Sequence, residues 1–301
     1  MYSSTFQSLS FYESTREDIY WKIGLALNDV DAAVDTINRG IQCHSKQISQ
    51  KNPIQPGNQF FEIGFLTHMK DPCDFSIELL QTTFEKNAEL RKKLIQDLIK
   101  GEDEIISKLK VQQSFDNDEG KLHEDLSLLS SQPFVIGQIT TRITDPEKSL
   151  DFYTNVLKMK LLSIQEVTEY RFTLYFLGYT EDDPPEKEDL KDVKNREWLW
   201  QRKYTTLELQ WRWDAKSVHL GKDESAGLES MEIEVQGVDK EDYSGLLQTI
   251  KTNSSFSSST SDRIITSSDG YSTQLHGLIT DPDGLKIKLI SKSSERKLCE
   301  A

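Results

Sequence analysis

The stretch GQITTRITDPEKSLDFYTNVL, residues 137–157, decides the fold. Its first part alternates between two faces, and the more polar face carries Gln138 and Arg142, which predicts a β-strand. Asp145 and Pro146 follow, and these residues favour the N-cap and the first position of a helix. Apolar residues then recur at helical spacing. The stretch therefore predicts a strand that leads directly into a helix, with Gln138 and Arg142 as candidates for function.

Similar patterns on both sides of this stretch predict further strands and helices. Alternation of apolar and polar residues indicates the strands, and apolar residues spaced by three or four indicate the helices. Residues 180–194 are an acidic excursion without a predicted element, and 46–58 are a loop with room for one more strand. The predicted strands cover 20–30, 60–69, 75–81, 138–143, 160–167, 170–179, 204–213, 228–235, 275–280 and 285–291, and the predicted helices cover 29–40, ending at Gly40, 85–111 and 240–250.

An internal repeat relates the two ends of the chain. DPCDFSIELL (71–80) aligns with DPDGLKIKLI (281–290), and KIGLAL (22–27) aligns with SMEIEV (230–235). The offset between the copies is 210 residues at the first pair and 208 at the second. Segments that match at both ends with nearly constant spacing indicate one structural unit that is used twice.

The repeat and the opening stretch together predict an α+β fold made of repeated βαβββ modules. Module A covers about residues 18–85, module B 134–213 and module C 228–291. Because a single module leaves one sheet face bare, two modules are expected to pair into a cup whose inward polar side chains meet. The predicted domains are an N-terminal tail, 1–17; a single module, 18–85; a helical and acidic connector, 86–132; a two-module domain, 133–292; and a C-terminal tail, 293–301.

Composition restricts the classes of partner. The net charge of −14 argues against a nucleic-acid-binding surface, since phosphates require a basic footprint. No apolar run reaches the length of about 18 residues that a membrane span needs, and the acidic N-terminus lacks the apolar core of a secretory signal. The three cysteines are far apart, which fits a reducing compartment. We therefore expect a cytoplasmic protein with no nucleic-acid or membrane partner.

The modules over 134–291 resemble the vicinal oxygen chelate superfamily, and within it the glyoxalase I (lactoylglutathione lyase) group. DPEKSLDFYTNVL and the strand TLEL carry the resemblance, together with FTLYFLGY and DPDGLKIKLI. The resemblance implies a cup that holds a divalent metal, Zn or Ni, with glutathione as the co-substrate. It also implies isomerisation of the methylglyoxal–glutathione hemithioacetal to S-lactoylglutathione, in which the metal polarises the substrate and a carboxylate moves the proton.

The resemblance assigns roles to individual residues of module B. Gln138 takes the position of the amide metal ligand, and Glu208 takes that of the first carboxylate ligand. Arg142 matches the arginine that binds glutathione. The catalytic carboxylates of such a site are expected to be Glu208 and Glu78. Module B therefore retains the family's first half-site.

The second half-site is altered in both of the other modules. The family's histidine position holds Lys22 in module A and Ser230 in module C, and its carboxylate position holds Glu78 and Lys288 respectively. An ammonium beside a buried carboxylate can neutralise it without a metal. Two cups are possible: B with A collects Gln138, Glu208, Glu78 and Lys22, and B with C collects Gln138, Glu208, Ser230 and Lys288.

Two functional hypotheses follow. The chain is either a glyoxalase-I-like isomerase whose metal ligands are Gln138, Glu208 and Glu78, or a catalytically degenerate member that binds a small molecule or a protein without metal. An odd number of modules suggests either a homodimer or an N-terminus that lacks a module. The five histidines show no paired spacing, so each is predicted on the surface or in a loop; they are His44, His68, His123, His219 and His276.

Overall fold

The computed structural model of the chain describes residues 17–43, 53–60, 64–71, 74–82, 135–220, 228, 230–235 and 274–292. The helices predicted over 85–111 and 240–250 lie outside these ranges. The chain divides into two compact units: unit 1 contains residues 1–21, 140–182 and 208–301, and unit 2 contains residues 22–139 and 183–207. Within the described ranges, no helix has both the length and the hydropathy that a membrane span requires.

Unit 2 is built on a mixed sheet. In chain order its elements are β1 (Tyr20–Leu27), α1 (Val30–Cys43), β2 (Asn58–Phe60), β3 (Gly64–Lys70), β4 (Ser76–Gln81) and the first part of β5 (Val135–Ile143). The strands are hydrogen-bonded in the order β2-β3-β4-β1-β5. β1 runs parallel to β4, whereas β3 is antiparallel to both β4 and β2. The order places β1 between the two strands that carry Glu78 and Gln138.

Helix α1 covers the apolar face of this sheet. Its residues at helical spacing join strand residues in one core, made of Leu27, Val30, Ala33, Val34, Ile54 and Leu79. Burial of each larger side chain contributes about 1.5–3 kcal/mol to folding. The predicted helix end at Gly40 is wrong, since α1 continues through Gly40. A glycine ends a helix where it takes a left-handed conformation, and Gly40 does not have a positive φ.

Unit 1 contains two sheets. After β5, its elements are α2 (Pro146–Leu150), which continues as a π-helical segment over Asp151–Val156, then β6 (Lys160–Val167) and β7 (Phe172–Gly178). β8 (Thr206–Arg212), β9 (Ser230–Val235), β10 (Gln274–Thr280) and β11 (Lys286–Lys292) follow later in the chain. One sheet has the order β5-β8-β7-β6 and the other β10-β11-β9. All ten predicted strands have a counterpart among the described residues.

The strand-to-helix connection of the opening stretch has the predicted geometry. Asp145 is extended, with φ −132° and ψ 99°, and its carboxylate accepts a hydrogen bond from the backbone N–H of Lys148. Pro146 occupies the first turn of α2, where its missing N–H has no cost. Tyr153, which is fully buried in the following π-helical segment, donates from its hydroxyl to Oδ2 of Asp281 over 2.8 Å. The helix is thereby fixed to the DPDG turn of module C.

The repeat is present as two copies of one turn and one strand pairing. Oδ1 of Asp71 accepts from the N–H of Phe75 over 2.9 Å, and Oδ1 of Asp281 accepts from the N–H of Leu285 over 2.8 Å. The residue before the last of each turn has a positive φ, 69° at Asp74 and 94° at Gly284. The following strands also pair in equivalent registers: Glu78 lies beside Gly24 in unit 2, as Lys288 lies beside Glu232 in unit 1.

Among the described residues, one α-helix was not predicted. α3 (Val193–Trp200) begins inside the acidic excursion, where Asp192 acts as N-cap and accepts from the N–H of Lys194. Its apolar residues Leu199 and Trp200 are buried at its end, too few to give a helical period. The Asp192 cap was the available sequence signal, because aspartate is a preferred N-cap residue.

Candidate functional site

Three of the predicted site positions meet at one buried carboxylate in unit 2. The ammonium Nζ of Lys22 donates to Oε1 of Glu78 over 2.6 Å. The amide Nε2 of Gln138 donates to Oε2 of Glu78 over 2.7 Å. All three side chains are buried, and Glu78 is 3% exposed. Both oxygens of the carboxylate are therefore engaged, one by a cation and one by an amide.

Gly24 makes the contact between Gln138 and Glu78 possible. Gln138 lies on β5 and Glu78 on β4, and β1 runs between these strands with Gly24 beside Glu78. Neighbouring strands are about 4.8 Å apart, so the Gln138 side chain must cross β1 to reach β4. A Cβ atom on Gly24 would lie 2.5 Å from Cγ of Gln138. Only glycine leaves room for this crossing.

Lys22 reaches Glu78 because it shares a face of β1 with Gly24. Residues two apart on a strand point to the same side of the sheet. Lys22 and Gly24 therefore lie on the face of β1 across which the Gln138 side chain extends. The Lys22 side chain is 5% exposed. A buried ammonium of this kind needs a carboxylate partner, which Glu78 supplies at 2.6 Å.

His68 is a further member of the cluster. It lies on β3 directly opposite Glu78, and its Nε2 is 3.4 Å from Oε1 of Glu78. Its side chain is 47% exposed, so an imidazole that is accessible to solvent lies next to a buried carboxylate. The prediction of a surface or loop histidine is confirmed in its first alternative, since His68 is exposed, although it lies on a strand. Its contact with Glu78 was not predicted; the signal for it was the turn at 71–75, since a hairpin centred there brings residues 68 and 78 opposite one another.

Glu78 carries its negative charge through the whole neutral and mildly acidic range. Burial by itself raises the pKa of this carboxyl group. The positive charge of Lys22 and the interactions with His68 act in the opposite direction and lower the pKa to about 2. The cluster of Lys22 and Glu78 is therefore an ion pair with no net charge.

Glu208 and Arg142 are buried in unit 1. Glu208 is fully buried on β8. Arg142 donates from Nε to Oε1 of Gln210 over 3.1 Å, and from Nη1 to the backbone oxygens of Asp18 and Tyr20 over 2.8 and 3.2 Å. Its guanidinium also lies 5.6 Å from the ring centroid of Trp21. The arginine that the resemblance assigns to glutathione thus binds backbone oxygens near the N-terminus of this chain.

The corresponding positions of module C have a different environment. Lys288 pairs with Glu232 over 3.2 Å, and the two side chains are 45% and 56% exposed. The ammonium of Lys288 therefore has an exposed carboxylate, Glu232, as its ion-pair partner. Ser230 lies beside Lys286 at the start of β9 and is half-buried. Neither Ser230 nor Lys288 provides a strong metal ligand.

The Lys22–Glu78–Gln138 cluster does not fit a divalent metal ion as it stands. Such an ion needs deprotonated donors, and the ammonium of Lys22 is a cation on the carboxylate oxygen that would bind it. The amide of Gln138 presents its N–H, and not its oxygen, to Glu78. In the described part of the chain, no three or more His, Cys, Asp and Glu side chains group as metal ligands do.

Comparisons with known proteins agree with the fold. The family model of the Glyoxalase/Bleomycin resistance protein/Dioxygenase superfamily matches residues 135–289. A lactoylglutathione lyase from Neisseria meningitidis serogroup A is 29% identical over 155 residues, which cover 51% of this chain and 87% of that protein. A lactoylglutathione lyase from Pseudomonas aeruginosa is 37% identical over 87 residues, and the match spans 29% of this chain but only 47% of that relative.

A solved structure shows the same architecture. The crystal structure of a glyoxalase I variant from Zea mays superposes with a TM-score of 0.50, covering 90% of this chain and 67% of that one. At 17% sequence identity this likeness concerns the fold alone. The predicted α+β class of glyoxalase-type modules is confirmed.

Proposed function

Since this chain belongs to the Glyoxalase/Bleomycin resistance protein/Dioxygenase superfamily, we propose that it binds a small molecule at a site where the Lys22 ammonium stands in place of a divalent metal ion. The observation that carries the proposal is the 2.6 Å ion pair between Lys22 and Glu78, with the Gln138 amide on the other carboxylate oxygen. The two ligand positions contributed by Gln138 and Glu78 remain, but each is already bonded within the protein.

The charge balance supports this proposal. A buried carboxylate is costly unless a cation or hydrogen-bond donors compensate it, and Glu78 has both. A metal ion at Glu78 would have to displace the Lys22 ammonium, which would then remain as an uncompensated buried charge. The protein therefore has no electrostatic need for an ion at this carboxylate.

The second candidate function is lactoylglutathione lyase activity. It is supported by the names of the relatives and by the retained residues Gln138, Glu78 and Glu208. In that case a divalent metal, Zn or Ni, would polarise the glutathione hemithioacetal, and Lys22 would have to move from Glu78. Arg142 would bind glutathione only after releasing Asp18 and Tyr20, which it now contacts. The geometry favours the metal-independent protein.

An activity assay separates the two candidates. The purified protein is mixed with methylglyoxal and glutathione in the presence of added Zn, Ni or Co, and the formation of S-lactoylglutathione is followed. We expect no turnover above the rate without protein. Turnover that the substitution Glu208→Gln abolishes would overturn the metal-independent proposal. The predicted domain boundaries, a homodimer and a cytoplasmic location stay predictions that this assay does not address.

A further inference from the structure

We propose that Gln165 is the polar anchor of a ligand site in unit 1, and that its ligand is a neutral molecule with a carboxamide group on an aromatic body. Gln165 lies on β6, the edge strand of the order β5-β8-β7-β6. The inference is independent of the proposed function, which concerns Lys22, Glu78 and Gln138 of unit 2. Neither the repeat nor the resemblance assigns a role to Gln165.

The amide group of Gln165 is buried and unpaired. The residue is 4% exposed, and both Oε1 and Nε2 are shielded from solvent. Neither atom has a hydrogen-bond partner among the described residues. Buried polar groups in proteins are almost always hydrogen-bonded, because an unpaired group loses its hydration without replacement. The amide of Gln165 therefore offers a donor and an acceptor to a bound molecule.

The strand residues around this amide are apolar. Leu174 of β7 lies directly opposite Gln165, and Phe172 lies opposite Val167, the next residue on the same face of β6. Diagonal neighbours on paired strands are about 7–8 Å apart, within the reach of an aromatic side chain. These four residues form what we call the Gln165 patch. A charged group would be costly beside these apolar side chains, so the patch favours a neutral ligand.

Aromatic rings connect the Gln165 patch to solvent. Leu174 is buried, Phe172 is half-buried, and Tyr170 is 60% exposed. The ring of Tyr170 stacks on Phe172 with their centroids 6.4 Å apart. Trp21 meets Phe172 edge-on, with centroids 6.1 Å apart. Apolar surface therefore leads from the buried amide to an exposed ring, and an aromatic ligand body would pack against these rings.

The hydrogen-bonding pattern of the amide restricts the polar group of the ligand. A carboxamide donates an N–H to Oε1 of Gln165 and accepts from Nε2 through its own oxygen, so both atoms gain a partner. A ketone accepts from Nε2 but leaves Oε1 unpaired. A carboxylate also has no donor, and it would bring a negative charge into apolar surroundings. The carboxamide is thus the group that completes the site.

The test uses benzamide and two probes of nearly the same shape. Acetophenone has a methyl group in place of the amino group, and benzoate has a charged oxygen there. Each probe is titrated into the full-length protein, and binding is followed by nitrogen–proton NMR spectra, with the largest changes expected in the Gln165 patch. We expect benzamide to bind the wild type about ten times more tightly than acetophenone, because the ketone leaves a buried acceptor unpaired. Benzoate should also bind more weakly than benzamide.

Two variants isolate the contribution of the amide. Gln165→Met keeps a similar shape without the amide, so benzamide should bind it about ten times more weakly than the wild type. The preference for benzamide over acetophenone should disappear in this variant. Thr141→Val is the matched control: the Thr141 hydroxyl on β5 is also buried and has no partner among the described residues. This variant should bind benzamide as the wild type does.

Three results would overturn the inference: no binding of benzamide up to its solubility limit, equal binding of benzamide and acetophenone to the wild type, or an unchanged preference in Gln165→Met. Should Gln165→Met fail to fold, Gln165→Leu replaces it, and the comparison of the probes on the wild type still decides. None of these results affects the proposed function, which is tested by the formation of S-lactoylglutathione.

Discussion

Gln138 donates a hydrogen bond to Glu78 over 2.7 Å although the two residues lie on strands that are not neighbours. The strand between them carries Gly24 at the point of crossing. The amide and the carboxylate that the sequence predicts as site residues are therefore joined by a direct contact, and this contact depends on the absence of a side chain at Gly24.

The substitution Gly24→Ala should break this contact. Its methyl group would lie 2.5 Å from Cγ of Gln138, so the glutamine must leave Glu78 or β1 must shift. We expect the free energy of unfolding to fall by about 1–3 kcal/mol, the usual cost of overpacking. Urea denaturation measures this change.

Gly40→Ala is the matched control. Gly40 lies within α1 and has nothing within 4 Å of the position of a Cβ atom. Because alanine is the better helix former, this variant should be more stable by about 0.5–1 kcal/mol. Equal effects of the two substitutions would show that Gly24 is not needed for the crossing.

The ion pair of Lys22 and Glu78 should be strongly coupled. Removal of one member leaves a buried charge, so Lys22→Met and Glu78→Gln should each cost about 3–5 kcal/mol of unfolding free energy. The double variant should cost clearly less than the sum of the two. A double-mutant cycle in urea measures the coupling energy.

The equivalent pair of module C provides the control for this cycle. Glu232 and Lys288 lie in the corresponding register, but both side chains are about half exposed. Their coupling should remain below about 1 kcal/mol, as is usual for exposed pairs. A Lys22–Glu78 coupling no larger than that of Glu232–Lys288 would contradict the role given to the buried pair.

Much of the fold was predictable from the sequence, because local patterns determine it. The alternation of apolar and polar residues predicted the strands, and Asp145 with Pro146 predicted the start of α2. The two Asp-Pro turns indicated the repeat. The prediction that α1 ends at Gly40 was wrong because glycine permits a helix end but does not require one.

The partners of the site residues were less predictable than the strands that carry them. The position of Glu78 was predicted, but its contact with His68 depends on the register of a hairpin, which only the turn at 71–75 fixes. The crossing of Gln138 over Gly24 depends on strand order, which no local pattern contains. The hydrogen bonds from Arg142 to the backbone oxygens of Asp18 and Tyr20 join residues that are more than one hundred positions apart in the sequence.

Acid should remove the stabilisation that Glu78 provides. Its pKa is lowered from 4.5 to about 2 in the folded protein, so the charged form favours the folded state. This contribution is fully present above pH 4.5 and is lost as the pH falls towards 2. Urea denaturation of the wild type and of Glu78→Gln should therefore show a stability difference that shrinks across this range. A difference that stays constant from pH 7 to pH 2.5 would contradict the ion pair.

Arg142 should act as a structural residue. Its guanidinium donates to two backbone oxygens and to Gln210, a fork geometry that lysine cannot reproduce. We expect Arg142→Lys to lower the free energy of unfolding by about 1–3 kcal/mol, since buried acceptors lose their donors. Arg171→Lys, at an exposed position, is the control and should change stability by less than about 0.5 kcal/mol. If Arg142→Lys is as stable as the wild type, the hydrogen bonds of the guanidinium do not stabilise the fold and the structural role of Arg142 is contradicted.

The metal content of the wild-type protein tests the central claim most directly. The protein is purified from cells grown with added zinc and nickel, and the metal bound per chain is measured by elemental analysis. The Lys22 ammonium occupies Oε1 of Glu78, so we predict far less than one ion per chain. One zinc or nickel ion per chain, lost on the substitution Glu78→Gln, would contradict the account.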